Sequence, residues 1–115
     1  MLADAVREEG LKSQAWLRQA LALPFDGPTV AVTHFAPSLL SADPRYGLSP
    51  GTAGFCNSLD ELLPFAKLWL HGHLHCVHDY QVAHRGGRTR VVSNARGHAR
   101  RGETDGHRPQ LVVEV

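Results

Sequence analysis

Lys67-Leu-Trp-Leu70-His-Gly-His-Leu-His75 is a short apolar run that breaks, with no polar spacer, into histidines at alternate positions. Lys67 to Leu70 has the length and composition of a buried strand. Gly72, with no Cβ, suits the strained corner where a strand becomes a loop and lets a ligand or ion come close. If the backbone beyond the strand stays extended, His71, His73 and His75 project from one face. Packing offers no reason for such a pattern, because each buried ring would need polar partners. Imidazole is, however, the common nitrogen ligand for Zn, Mn, Fe and Ni, and much of it is already deprotonated at neutral pH.

Upstream, Thr29-Val-Ala-Val-Thr33 is β-rich and mostly apolar, as expected of a strand covered on both faces, and it delivers His34 at its C-terminal end. Two strand ends that each finish in histidine would bring His34 beside His73 and His75, in the crevice where α/β proteins keep their ligands. Before these strands the pattern predicts a short helix over Leu2 to Glu9, ending near Gly10. A second helix would be capped by Ser13 and would lay Trp16, Leu17, Ala20 and Leu21 on a core. Phe35 to Asn57, with three prolines and three glycines and no period, reads as a functional loop. Ser58-Leu-Asp-Glu61 matches a capping box, with Pro64 closing the helix that follows. Arg85-Gly86-Gly87-Arg88 sits between two β-rich runs as a hairpin turn, Tyr80 to His84 and Thr89 to Ser93 being its strands. Leu111 to Val115 reads as a last strand after a polar, Arg- and Gly-rich stretch from Asn94 to Arg108, within which 99–109 is expected to be a flexible loop.

The whole chain has 115 residues, 43% hydrophobic and 20% charged, a globular composition with room for one α/β (α+β) domain. Its formal net charge of +1 argues against a polyanion binder driven by overall charge. No window is apolar enough to span a bilayer and the first residues lack the pattern of a signal peptide, so the expectation is a cytoplasmic protein with no membrane partner. Cys56 and Cys76 are far apart and form no Cys-x-x-Cys motif, which fits a reducing compartment. Eight histidines are the oddity of the composition.

Val30-Ala-Val-Thr-His34-Phe-Ala-Pro-Ser38, then Trp69-Leu-His-Gly-His-Leu-His75, then Asp79-Tyr80 and Thr89-Arg-Val-Val-Ser-Asn94 together resemble the C-terminal half of calcineurin-like metallophosphoesterases. The resemblance runs from about Ser13 to His98. It implies a sandwich of mixed sheets flanked by helices, with residues 1–115 forming the C-terminal portion of one such domain. It implies a hydrolase acting on a phosphoester substrate with two divalent metal ions (Mn, Fe or Zn). His34 and His73 would ligate one ion and His75 the other, with His71 as a supporting neighbour.

Phe35 stands where many relatives repeat His, and Ala95 precedes Arg96-Gly-His98 where Pro and a terminal Tyr are usual. The Asp-x-His, Gly-Asp-x-x-Asp and Asn-His that relatives carry upstream are not in place. The resemblance therefore implies an incomplete domain, inactive alone, whose partner is a separate N-terminal half or a second copy. Two other classes compete with this reading. One is a small non-catalytic module using His34, His73 and His75 as a mononuclear site. The other is a nucleic-acid-binding module built on Arg85, Arg88, Arg90, Arg96, Arg100, Arg101 and Arg108, which the absence of interleaved aromatic residues disfavours.

Overall fold

The computed structural model describes residues 2–115. Three parallel strands and one antiparallel strand form a single mixed sheet: β1 (Val30–Val32), β2 (Leu68–Leu70), β3 (Val77–His84) and β4 (Gly87–Asn94) in spatial order β1-β2-β4-β3. The mixed α/β class expected from the sequence is therefore present, with one sheet among the described residues. β1 pairs with β2 and β2 with β4 in parallel, Val32 opposite Leu70 and Leu70 opposite Val92. All three carboxyl ends consequently lie along one edge. β3 and β4 form the expected hairpin, longer at both ends than the β-rich runs suggested, with His84 opposite Gly87 across the Arg85-Gly86 turn.

The core lies on one face of this sheet. Trp69, Leu63 and Val91 are fully buried, joined by Ala31, Leu59, Leu62 and Ala66. The lid on that face is a 3-10 helix, Asp60–Phe65, which contains Pro64 rather than ending at it. Thr89 ties this lid to β4: its hydroxyl lies 2.6 Å from the Leu63 carbonyl and 2.7 Å from that of Ala66. The capping box does not form. Leu59 occupies the cap position, and Glu61 instead takes an ion pair from Arg18 at 2.9 Å.

The two expected N-terminal helices are one, α1 (Leu2–Ala22). Gly10 costs a helix interior only about 1 kcal/mol, and the chain around it is rich in Ala, Leu, Glu and Arg. Lys12 also bridges the joint, reaching Glu8 and Glu9 one turn back at 3.1 and 2.9 Å. Ser13 is not a cap; its hydroxyl donates to the Glu9 carbonyl inside the helix. Of the predicted stripe, Leu17 and Leu21 pack against the core while Trp16 is 67% exposed.

Two further expectations fail. β1 is covered on one face only, Ala31 being buried and Val32 72% exposed. It is also an edge strand, with its far side unpaired among the described residues. Leu111 to Val115 is not a strand and takes no place in the sheet. The described chain exposes 8140 Å², against about 6,200 Å² from the surface scaling of a monomer of this mass. Its core is correspondingly thin.

In so thin a core the Thr89 hydroxyl is a large share of what holds the lid. Thr89→Val, nearly isosteric, takes the hydroxyl donor from the Ala66 carbonyl and leaves that of Leu63 with the Ala66 N–H alone, and should lower stability by about 1–3 kcal/mol in urea denaturation. Thr89→Ser should recover most of it. A Val variant as stable as the parent would show that the lid is held by apolar contact alone.

Candidate metal centre

The carboxyl ends of β1, β2 and β4 gather the chemistry-bearing residues, and backbone bonds beyond the strands fix their spacing. Thr33 N–H donates to the Leu70 carbonyl at 3.0 Å, Gly72 N–H to that of His34 at 3.0 Å, and His71 N–H to that of Val92 at 3.1 Å. The Trp69 indole N–H donates to the Thr33 hydroxyl at 2.9 Å, which in turn donates to the Phe35 carbonyl at 2.6 Å. His34 is thus pinned on both sides. The result is a His34 Nε2 to His73 Nδ1 separation of 3.1 Å. The two rings thus meet at hydrogen-bonding distance, a spacing close to the roughly 3.3 Å between two ligands of a tetrahedral ion.

His73 is clamped from both sides. Phe35 stacks on it with centroids 4.5 Å apart and Phe55 lies tilted at 4.9 Å. Phe55 belongs to the long loop, which folds back through an Ala36–Cys56 bridge over a small cluster of Ala36, Cys56 and Leu74. Burial lowers the His73 pKa, and neighbouring His34 and His75 lower it further against the pull of the Gly54 carbonyl. The ring is therefore neutral at neutral pH, the form a metal requires.

The three histidines of the motif do not share a face. The backbone does not run on extended past β2: His73 has φ +66° and the Leu74 N–H donates to the Gly72 carbonyl at 2.8 Å, a γ-turn of the rare left-handed kind. The strain falls on His73, not on Gly72, whose φ is ordinary and whose added Cβ would meet nothing nearer than 3.9 Å. That turn sends each ring to different partners.

His71 points inward and is buried. Its Nε2 lies 2.9 Å from the Ser41 hydroxyl and its Nδ1 3.2 Å from the Gly72 carbonyl, and Ser41 reaches the Tyr80 hydroxyl at 2.6 Å. Both its nitrogens are engaged, so the ring belongs to a polar chain beneath the site. Beside it Cys76 Sγ lies 3.2 Å from His78 Nε2, the thiol pushed up to about 11 by burial and by Asp43.

His75 turns toward Glu103 and His98, two residues outside the histidine motif. Its Nδ1 lies 3.3 Å from Glu103 Oε2, and its ring meets His98 edge-on at 4.8 Å. These three residues form a potential metal-holding group, one ligand atom from each lying within 4.8 Å of the others. His34, His73 and His75 form no such three-ligand group among the described residues; the group that does form takes in the Glu103 carboxylate. Glu103 is buried, its Oε1 accepting from the His98 N–H at 2.9 Å while Arg45, itself forked onto Asp43, stands 3.7 Å from Oε2. Burial pushes its carboxyl up, but the His98 N–H, His75, His98 and Arg45 outweigh this and leave it below the usual range.

The one readable signal for this group was Gly97. It takes φ +65°, and a Cβ there would lie 2.5 Å from Glu103 Cβ and 3.1 Å from His75 Cβ. The arginines are dispersed: Arg90 is forked onto Asp79 at 2.8 and 2.7 Å and Arg88 reaches Gln81, while Arg96, Arg100 and Arg101 line a cleft around His98. No helix among the described residues is long and apolar enough to cross a membrane. No family model, curated protein or solved structure matches the chain.

Gly97→Ala should cost about 1–3 kcal/mol in urea denaturation, since the methyl group overpacks a left-handed site; an unchanged midpoint would mean the 97–103 loop does not lie against His75. A pH dependence follows from His71 and His78, both held below their ordinary 6.5 chiefly by burial. The unfolded chain then binds more protons than the folded one between the lowered values and 6.5, so stability rises with pH through that window and levels off above it. The metal-free protein should lose stability as pH falls below 6.5, with His78→Gln flattening the slope. A flat profile there would show both rings to be solvated.

Proposed function

We propose that this chain supplies the histidine half of a two-metal phosphoesterase centre, His34 and His73 holding one divalent ion, His75 the other, and a phosphoester substrate lying across them. The observation that carries this reading is the 3.1 Å approach of His34 Nε2 to His73 Nδ1 at the carboxyl ends of adjacent parallel strands. Its support is the order of the motifs along the sequence, the neutral state of His73, and the placing of His75 in a separate group beside the first. Divalent ions held there neutralise phosphate oxygens and acidify a water for attack. The protein's own contribution is to fix ring spacing through the Trp69–Thr33–Phe35 chain and to clamp His73 between Phe35 and Phe55.

Turnover needs more than this chain brings. Among the described residues no carboxylate is paired with His34 or His73, and two dications close together need one between them. On this reading the chain alone is inactive, and its missing carboxylates arrive on a separate segment or second copy that pairs along the open edge of β1, where Val30 and Val32 are exposed. The same reading places it in the cytoplasm, where the free thiols Cys56 and Cys76 stay reduced.

Calorimetry of inorganic phosphate with and without Zn tests the proposal. Phosphate should bind only in the presence of metal, and His73→Ala should weaken it at least tenfold. Equal binding without metal, or binding indifferent to both His34→Ala and His73→Ala, would overturn it. Hydrolysis of bis-p-nitrophenyl phosphate should stay at background with added Mn; turnover that vanishes in His73→Ala would refute the incompleteness of the centre.

A further inference from the structure

We infer that Glu103 and His98 complete His75 into a three-ligand divalent metal site, two imidazoles and one carboxylate, that this chain forms without help from any other. The inference rests on the reading of His75 as a metal ligand and adds to it the two residues that close the site.

Three independent features of the 97–103 loop converge. The first is placement. Glu103 Oε2 stands 3.3 Å from His75 Nδ1, and one ligand atom from each of His75, His98 and Glu103 falls within 4.8 Å of the others. Ligands of a tetrahedral ion lie about 3.3–3.6 Å apart, so the group needs a closure of roughly an ångström. His98 is exposed and can turn its ring, while His75 and Glu103 already sit at the bound spacing.

The second is that Glu103 is held for a purpose its surroundings do not exhaust. It is a buried carboxylate at the end of a polar loop, with Oε1 fixed by the His98 N–H and Oε2 facing His75 and, at a longer 3.7 Å, Arg45. Arg45 is already committed to Asp43 by three contacts at 3.0, 3.1 and 2.6 Å and to the His75 carbonyl at 3.2 Å. Oε2 is therefore the carboxylate oxygen with spare capacity, and it points at an imidazole nitrogen.

The third is that the loop is built to be this close. Gly97 adopts φ +65°, and any Cβ would collide with Glu103 and crowd His75. Only a glycine lets His98 and Glu103 reach His75 together.

The donor set selects the ion. Two neutral nitrogens and one carboxylate leave a dication with a net charge of +1 and an open position, the pattern of a Zn site that keeps room for water or substrate. Arg96, Arg100 and Arg101 line the cleft around His98, so an anion entering from solvent meets positive charge on its way to the open position. A site of this kind takes Zn or Co before Mn, which prefers oxygen donors and sits low in the affinity order.

The test isolates this site by removing the other. A His34→Ala/His73→Ala double variant of the full chain is titrated with Zn by calorimetry and with Co(II) by visible absorption, then compared with the same background carrying Glu103→Gln or His98→Ala. The expected result is about one equivalent of Zn, a four-coordinate Co(II) spectrum, and at least a tenfold loss of affinity in each added variant. His98 is exposed, so its alanine variant keeps the fold and the question stays answerable if Glu103→Gln does not. Three results would overturn the inference: no metal bound by the double variant, binding unaltered by either substitution, or loss with Glu103→Gln but none with His98→Ala, which would make Glu103 an orienting partner of His75 alone. Because the readout is metal uptake without His34 and His73, a failure of the phosphate experiment leaves it standing, and the reverse holds.

Discussion

The indole of Trp69 sits at the centre of the sheet, fully buried on β2 and flanked by β1 and β4. Its apolar bulk fills the core against Leu63 and Val91, and a buried ring of that size is worth several kcal/mol of hydrophobic stabilisation. Its one polar atom has to find a partner there, and the partner is the Thr33 hydroxyl, which itself donates a hydrogen bond to the Phe35 carbonyl. A packing requirement in the core thereby becomes a positional constraint on the residue in between. His34 stands where it does because the tryptophan beneath it cannot be left without an acceptor.

The second constraint is the left-handed turn at His73. A run of alternate histidines on an extended backbone would present a flat comb of rings; the turn breaks the comb and gives each ring separate neighbours. His71 is drawn under the sheet edge to Ser41, His73 to His34 between two phenylalanines, and His75 across to the 97–103 loop. A non-glycine residue with positive φ costs about 1–2 kcal/mol, and such strain gathers at sites where geometry serves chemistry.

The strands, the hairpin and the end of the sheet where the histidines collect were legible in the sequence, because apolar runs of three to five residues closing on histidine leave few alternatives. Helix boundaries were less so: Gly10 and Ser13 carry the marks of a stop and a start, yet the Lys12 ion pairs and the surrounding helix formers carry the helix through both. The capping box at Ser58 was a local pattern overruled by a distant partner, Arg18, which took its glutamate. Val32 and Leu111 to Val115 misled for another reason: β-propensity describes fit to a sheet surface and cannot say whether a neighbouring strand is there to provide one. At the site, His34, His73 and His75 stood out by spacing, whereas His98 and Glu103 lie further on in a polar loop. Only the glycine before His98 carried a trace of the close approach, and a glycine in a Gly-rich stretch is easily taken for a turn.

The parallel order β1-β2-β4 has a bearing on how the site comes into being during folding. The β3–β4 hairpin closes through a two-residue turn, whereas pairing β1 with β2 means closing the long stretch between Val32 and Leu68. Chain-entropy scaling makes that second closure about 2–3 kcal/mol more costly, and it yields only a three-residue ladder in return. The hairpin and its attached His75 are local structure, quick to form; His34 depends on the slow, non-local step. The His34 and His75 sides of the candidate site are therefore assembled at different times, the local side being in place before β1 docks.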